Sequence, residues 1–102
     1  MNGWIIKYGF IGAGRGAGVN YTLKTVYIDT DVLFEKFLDK AWTVSRKAGV
    51  TTLPEDIFTS YGEWEAFVIE HEWQHVKNPR TGAWTAKYEN SINHAALVAL
   101  GY

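Results

Sequence analysis

The sequence predicts an α+β fold, an N-terminal β-hairpin packed on three helices. Three observations carry this reading. Apolar residues alternate in two stretches before position 30, apolar residues recur at three-to-four spacing in three later stretches, and turn-forming residues separate the stretches. The chain has 102 residues, the size of one domain, and is expected to fold as a single unit over 1–102.

The elements follow in order. Residues 4–10 read as a strand, with Trp4, Ile6, Tyr8 and Phe10 alternating with Ile5, Lys7 and Gly9. Residues 19–29 read as a second strand, with Tyr21, Leu23, Thr25 and Tyr27 on one face. The glycine-rich segment 12–18 lies between them and reads as a flexible hairpin tip. It is not a phosphate loop. Ala17 and Val19 occupy the third-glycine positions of the dinucleotide fingerprint, and the Gly-Lys-Ser/Thr ending of a P-loop is missing.

A first helix is expected over about 30–47, with Leu33, Phe34, Phe37, Leu38, Ala41, Trp42 and Val44 as its apolar face and Gly49 beyond its end. Asp29, Thr30 and Asp31 are its cap candidates, and capping explains the two aspartates more simply than a bound cation does. The stretch 50–59 is ambiguous, with Thr51–Leu53 a possible short edge strand before Pro54. The second helix has a capping-box start at Ser60 and Glu63 and ends near Lys77, because Asn78-Pro79 cannot continue it. Trp64, Phe67, Val68, His71 and His75 share one stripe, and Ile69, Trp73 and Val76 form another. A last helix covers about 85–100, with Tyr88, Ile92, Ala95, Ala96 and Ala99 facing inward. The short turn between these two helices predicts antiparallel packing.

Composition narrows the function. The formal net charge is -1 and no basic stripe is present, so nucleic acid is not an expected partner. No apolar run reaches membrane-spanning length, so no membrane partner is expected either. The N-terminus lacks a signal-peptide pattern, which makes the cytoplasm the default compartment. With no cysteine, disulfides and thiolate metal sites are excluded. Five Trp, six Tyr and five Phe supply a large apolar area for a small core or a binding surface.

The chemistry concentrates in His71-Glu72-Trp73-Gln74-His75, an H-E-x-x-H string on a predicted helix. Residues four apart lie one above the other, so both imidazoles reach one ion. Zinc favours such nitrogen donors. Glu72 is placed to act as general base on a metal-bound water. Glu89 is the candidate third ligand, because His75 and Glu89 sit at similar heights in an antiparallel helix pair at ~1.5 Å per residue. Asn93, four residues on, shares the face of Glu89 and is a candidate partner for a ligand. His94 is the alternative metal ligand, but it points roughly 140° away from Glu89 around the helix.

These residues resemble the gluzincin branch of zincin metallopeptidases, including small ImmA/IrrE-type peptidase domains of phages and mobile elements. The likeness rests on His71, Glu72, His75, Glu89 and Asn93. It implies a minimal zincin-like domain in which His71, His75 and Glu89 hold Zn2+, Glu72 is the base, and Asn93 orients a ligand histidine. It also implies a peptide or protein substrate lying along a strand edge, the strand at 19–29 being assigned that part by topology. A phage origin would place the protein in the virion or the host cell. Tyr88, Tyr61 and Arg80 are candidates for a second electrophile. The competing class is a non-catalytic phage or mobile-element structural or interaction protein whose zinc site is structural or vestigial.

Overall fold

The computed structural model describes residues 3–102. It is α+β, a three-stranded sheet with three helices. The strands are β1 (Ile5–Tyr8), β2 (Ala17–Asn20) and β3 (Thr25–Ile28), in the order β1-β3-β2. Strand β3 is central, parallel to β1 and antiparallel to β2.

This places the hairpin differently from the sequence expectation. The predicted strand at 19–29 is itself folded back, and the hairpin joins β2 to β3 through residues 21–24. The reversal has local causes. Asn20 Oδ1 accepts from the Leu23 amide at 2.9 Å, and Lys24 takes a left-handed φ of 48°. Alternation continued through Tyr21 and Leu23, but both are exposed turn residues. The buried side of β3 is Val26 and Ile28, each 0% exposed.

The glycine-rich segment is therefore a crossing from β1 to β2, and it is not a hairpin tip. Its end is fastened on Asp29. The Asp29 amide donates to the Gly16 carbonyl, and Asp29 Oδ2 accepts from the Ile11 amide. A Cβ at Gly16 would lie 2.5 Å from Leu33 Cδ2, so the chain runs against the first helix with no room for a side chain.

Helix α1 (Thr30–Leu38) starts as expected, with Asp29 accepting from Val32 N, and ends about nine residues early. Lys40 adopts a left-handed φ of 48°, and a 3₁₀ turn (Ala41–Thr43) follows. The helical apolar spacing persists past the break because Trp42, though off the helix, still enters the core. Residues 51–53 form no strand; Leu53 N instead bonds the Trp42 carbonyl at 2.9 Å.

Helices α2 (Tyr61–Lys77) and α3 (Ala86–Ala99) agree with the sequence reading. Ser60 accepts from Glu63 N, and Glu63 reaches back to the Thr59 amide and hydroxyl. Thr85 caps α3 through Tyr88 N. The two helices are antiparallel, because residue 71 meets residue 93 while residue 75 meets residues 88 and 89. The core joins β3, α1 and α2 through Val26, Ile28, Leu33 and the rings of Trp42, Phe58, Trp64 and Phe67. Among the described residues, no helix is long and apolar enough to cross a membrane.

Candidate metal centre

Helix periodicity puts His71 and His75 on the face of α2 that meets α3, and Glu89 and Asn93 on the opposing face. His71 Nε2 lies 3.0 Å from Glu89 Oε1 and 3.0 Å from His75 Nε2. His75 Nε2 lies 3.7 Å from the same carboxylate oxygen. Each of the three side chains is under one fifth exposed. Among the described residues, these three form a group able to hold a metal ion, and no fourth His, Asp or Glu joins it.

The outer nitrogens decide what the inner ones offer. His71 Nδ1 is 2.7 Å from Asn93 Oδ1, an acceptor, so the proton sits on Nδ1. The Tyr88 hydroxyl donates to the Asn78 carbonyl at 2.6 Å, which leaves its oxygen to accept from His75 Nδ1 at 3.0 Å. With both imidazoles neutral, the two Nε2 atoms present lone pairs to one another and to a carboxylate. Three such donors converging at these distances repel unless a metal ion or a proton lies between them. Ligand atoms on a tetrahedron at ~2.0–2.1 Å from zinc would stand roughly 3.3 Å apart, inside the observed spread. The donor set and its spacing therefore fit a metal ion.

Electrostatics keep Glu89 an anion and let a proton compete for His71. The neighbouring imidazoles of His71 and His75, when protonated, and the Trp84 indole hold the Glu89 carboxyl far below the ordinary carboxylate range. Burial pushes the His71 imidazolium down, but Glu89, Glu72 and Asn93 outweigh it and raise the group above its usual value. Burial raises Glu72, and the neighbouring histidines and Arg15 offset only part of that.

Glu72 lines a cleft of about 490 Å³ together with His71, Glu89 and Asn93. His75 faces a smaller hollow of about 370 Å³, shared with Tyr21 and Arg80. Thus His71, His75, Glu89, Asn93 and Glu72 are assembled at one place. His94 is exposed on α3 and stays outside the group, so the alternative ligand is not brought to it. Tyr61 is also elsewhere: it begins α2, ten residues before His71, with its ring against Phe34 and Phe37.

Three supports were not foreseen as such. Trp84 Nε1 donates to Glu89 Oε2 at 3.2 Å and fixes the carboxylate. Tyr88 braces His75, a role distinct from that of an electrophile. Tyr21 at the β2–β3 turn donates to the His75 carbonyl at 3.1 Å. The position of Tyr88 beside Glu89 was a usable signal; Trp84 and Tyr21 reach the site through tertiary packing alone. No protein family matches the chain, and no curated protein or solved structure matches it.

Proposed function

We propose that the protein is a zinc-dependent hydrolase of peptide bonds. The observation that carries this reading is the three-donor group His71, His75 and Glu89 with Glu72 on the wall of the adjoining cleft. Three protein donors leave a fourth tetrahedral position open, which is the composition of a catalytic rather than a structural site. Zinc, when bound, supplies a Lewis acid that polarises a carbonyl and acidifies water.

The chain's own residues do the rest. Asn93 and Tyr88 hold the two imidazole rings with Nε2 inward and, in the neutral form, favour the proton on Nδ1. Trp84 holds Glu89 in place. Glu72 takes a proton from water as its oxygen attacks the carbonyl carbon. It then delivers that proton to the amine nitrogen as the carbon–nitrogen bond breaks. A carboxyl raised by burial is better matched to both halves of that transfer than an ordinary one.

Glu72→Gln tests the reading. The variant is expected to keep its fold and bound zinc and to lose hydrolysis by at least ~100-fold. The assay incubates zinc-loaded protein with a diverse peptide pool and reads new termini by mass spectrometry. Cleavage that persists unchanged in Glu72→Gln rejects the mechanism. A fourth protein ligand on the metal in an experimental structure would favour the non-catalytic alternative.

A further inference from the structure

The cleft beside Glu72 has a charge distribution unlike that of the whole chain. The chain carries ten Lys and Arg against eleven Asp and Glu. The cleft wall holds Arg15, Lys36, Arg46 and Lys47, while its only carboxylates are Glu72 and Glu89 of the candidate centre. We infer that this cleft selects substrates by their carboxylates, binding acidic peptide segments or a free C-terminus beside the reacting bond. The inference rests on the hydrolase reading and deepens it.

Several observations hold the cations there for an external anion. Among the described residues, Arg15, Lys36 and Arg46 form no salt bridge, whereas Lys40, outside the cleft, is paired with Glu55 at 2.6 Å. The ammonium of Lys47 stands 4.7 Å from the ring centroid of Trp84, which keeps the charge in place without neutralising it. Lys36 is half-buried next to Arg46, and both burial and that like charge disfavour its ammonium form. A bound carboxylate would relieve this arrangement.

The backbone is built to present these groups. Arg15 comes from the glycine-rich crossing, and its guanidinium packs where a Cβ of Gly18 would be, 2.8 Å from Nη2. The absence of a side chain at 18 therefore lets Arg15 lie across β2 towards Glu72. The loop carrying Arg46 and Lys47 is tied to α3, with Thr51 N donating to Asn90 Oδ1 and Asn90 Nδ2 donating to the Gly49 carbonyl. The glycine-rich crossing, and a loop that the sequence reads as the end of the first helix, thus set cations on the cleft wall.

The test measures binding by anisotropy with zinc-loaded Glu72→Gln protein and short rhodamine-labelled peptides. One peptide carries Glu residues and its counterpart carries Gln, each as free acid and as C-terminal amide. The Glu peptide or the free acid is expected to bind about tenfold more tightly than its neutral counterpart at low salt, with the gap narrowing as salt rises. Arg15→Gln and Arg46→Gln should each weaken the acidic peptide roughly threefold and leave the neutral one unchanged, the scale of an exposed ion pair. A gap confined to Glu against Gln assigns side-chain carboxylates, and one confined to acid against amide assigns the chain terminus. Equal affinities, no binding by any peptide, or a preference untouched in both variants overturns the inference. Zinc content and wild-type cleavage are measured in parallel. Cleavage indifferent to charge keeps the hydrolase and ends this inference, whereas charge-selective binding by a protein that takes up no zinc does the reverse.

Discussion

Helix α2 has two halves that do opposite things. Its first half is stability. Trp64 and Phe67 are buried against Trp42 and Phe58, with ring centroids 5.0–6.1 Å apart, and Trp64 Nε1 still finds the Leu33 carbonyl at 3.0 Å. Its second half carries His71, Glu72 and His75, polar groups drawn into partial burial, and Gln74, which is buried. Burying such groups is costly unless each is satisfied. With both imidazoles neutral the satisfaction is incomplete, since two Nε2 lone pairs then face each other at 3.0 Å. One end of the helix offsets the conformational entropy of folding, and the other holds an arrangement that a proton or a metal ion completes.

The contrast can be broken by substitution at each end. Trp64→Ala should cost the metal-free protein about 3–5 kcal/mol in chemical denaturation, the range for a large buried ring. His75→Ala should cost the metal-free protein less than ~1 kcal/mol while abolishing zinc uptake, read by elemental analysis. Comparable destabilisation by the two changes would mean that the halves are not distinct. Absence of metal in carefully prepared wild type, with no thermal stabilisation on adding zinc, would remove the site altogether.

Smaller effects sharpen the comparison within the polar half. Glu89→Ala should weaken zinc strongly, whereas His94→Ala should leave affinity within about twofold, since His94 lies outside the donor group. The reverse order in competition titrations would overturn the ligand assignment. Asn93→Ala should weaken zinc by roughly 10–100-fold without touching the metal, by releasing the His71 ring.

The smallest expected effect is one of pH. Zinc needs both imidazoles unprotonated. The His71 pKa is raised above the ordinary imidazole value in the metal-free protein, so protons compete for it already above that value. Zinc affinity should therefore fall as pH drops, beginning above the usual imidazole midpoint. Glu72→Gln removes one of the charges that raises His71 and should shift the onset downward, as a titration of zinc affinity against pH would detect.

The helical half of the molecule was legible in the sequence because its determinants are local. A capping box, an Asn-Pro stop, a threonine cap and the i, i+4 spacing of His71 with His75 and Glu89 with Asn93 all act within a turn or two. The sequence alone thus determined the two site helices and their antiparallel pairing, and it pointed to His71, His75, Glu89 and Asn93 between them while leaving His94 as an alternative. It did not determine the sheet. Alternation has the same period through a strand and through a short reversal, so residues 19–29 read as one strand until Asn20 and Lys24 turn the chain. The parallel pairing of β1 with β3 joins segments about twenty residues apart, and no local signal encodes that partner choice. The break after Leu38 was hidden because Trp42 reaches the core from off the helix. Tertiary structure alone also brought Trp84 to Glu89 and Tyr21 to His75, and set Arg15 near Glu72, because a side chain's range in space is not written in its distance along the chain.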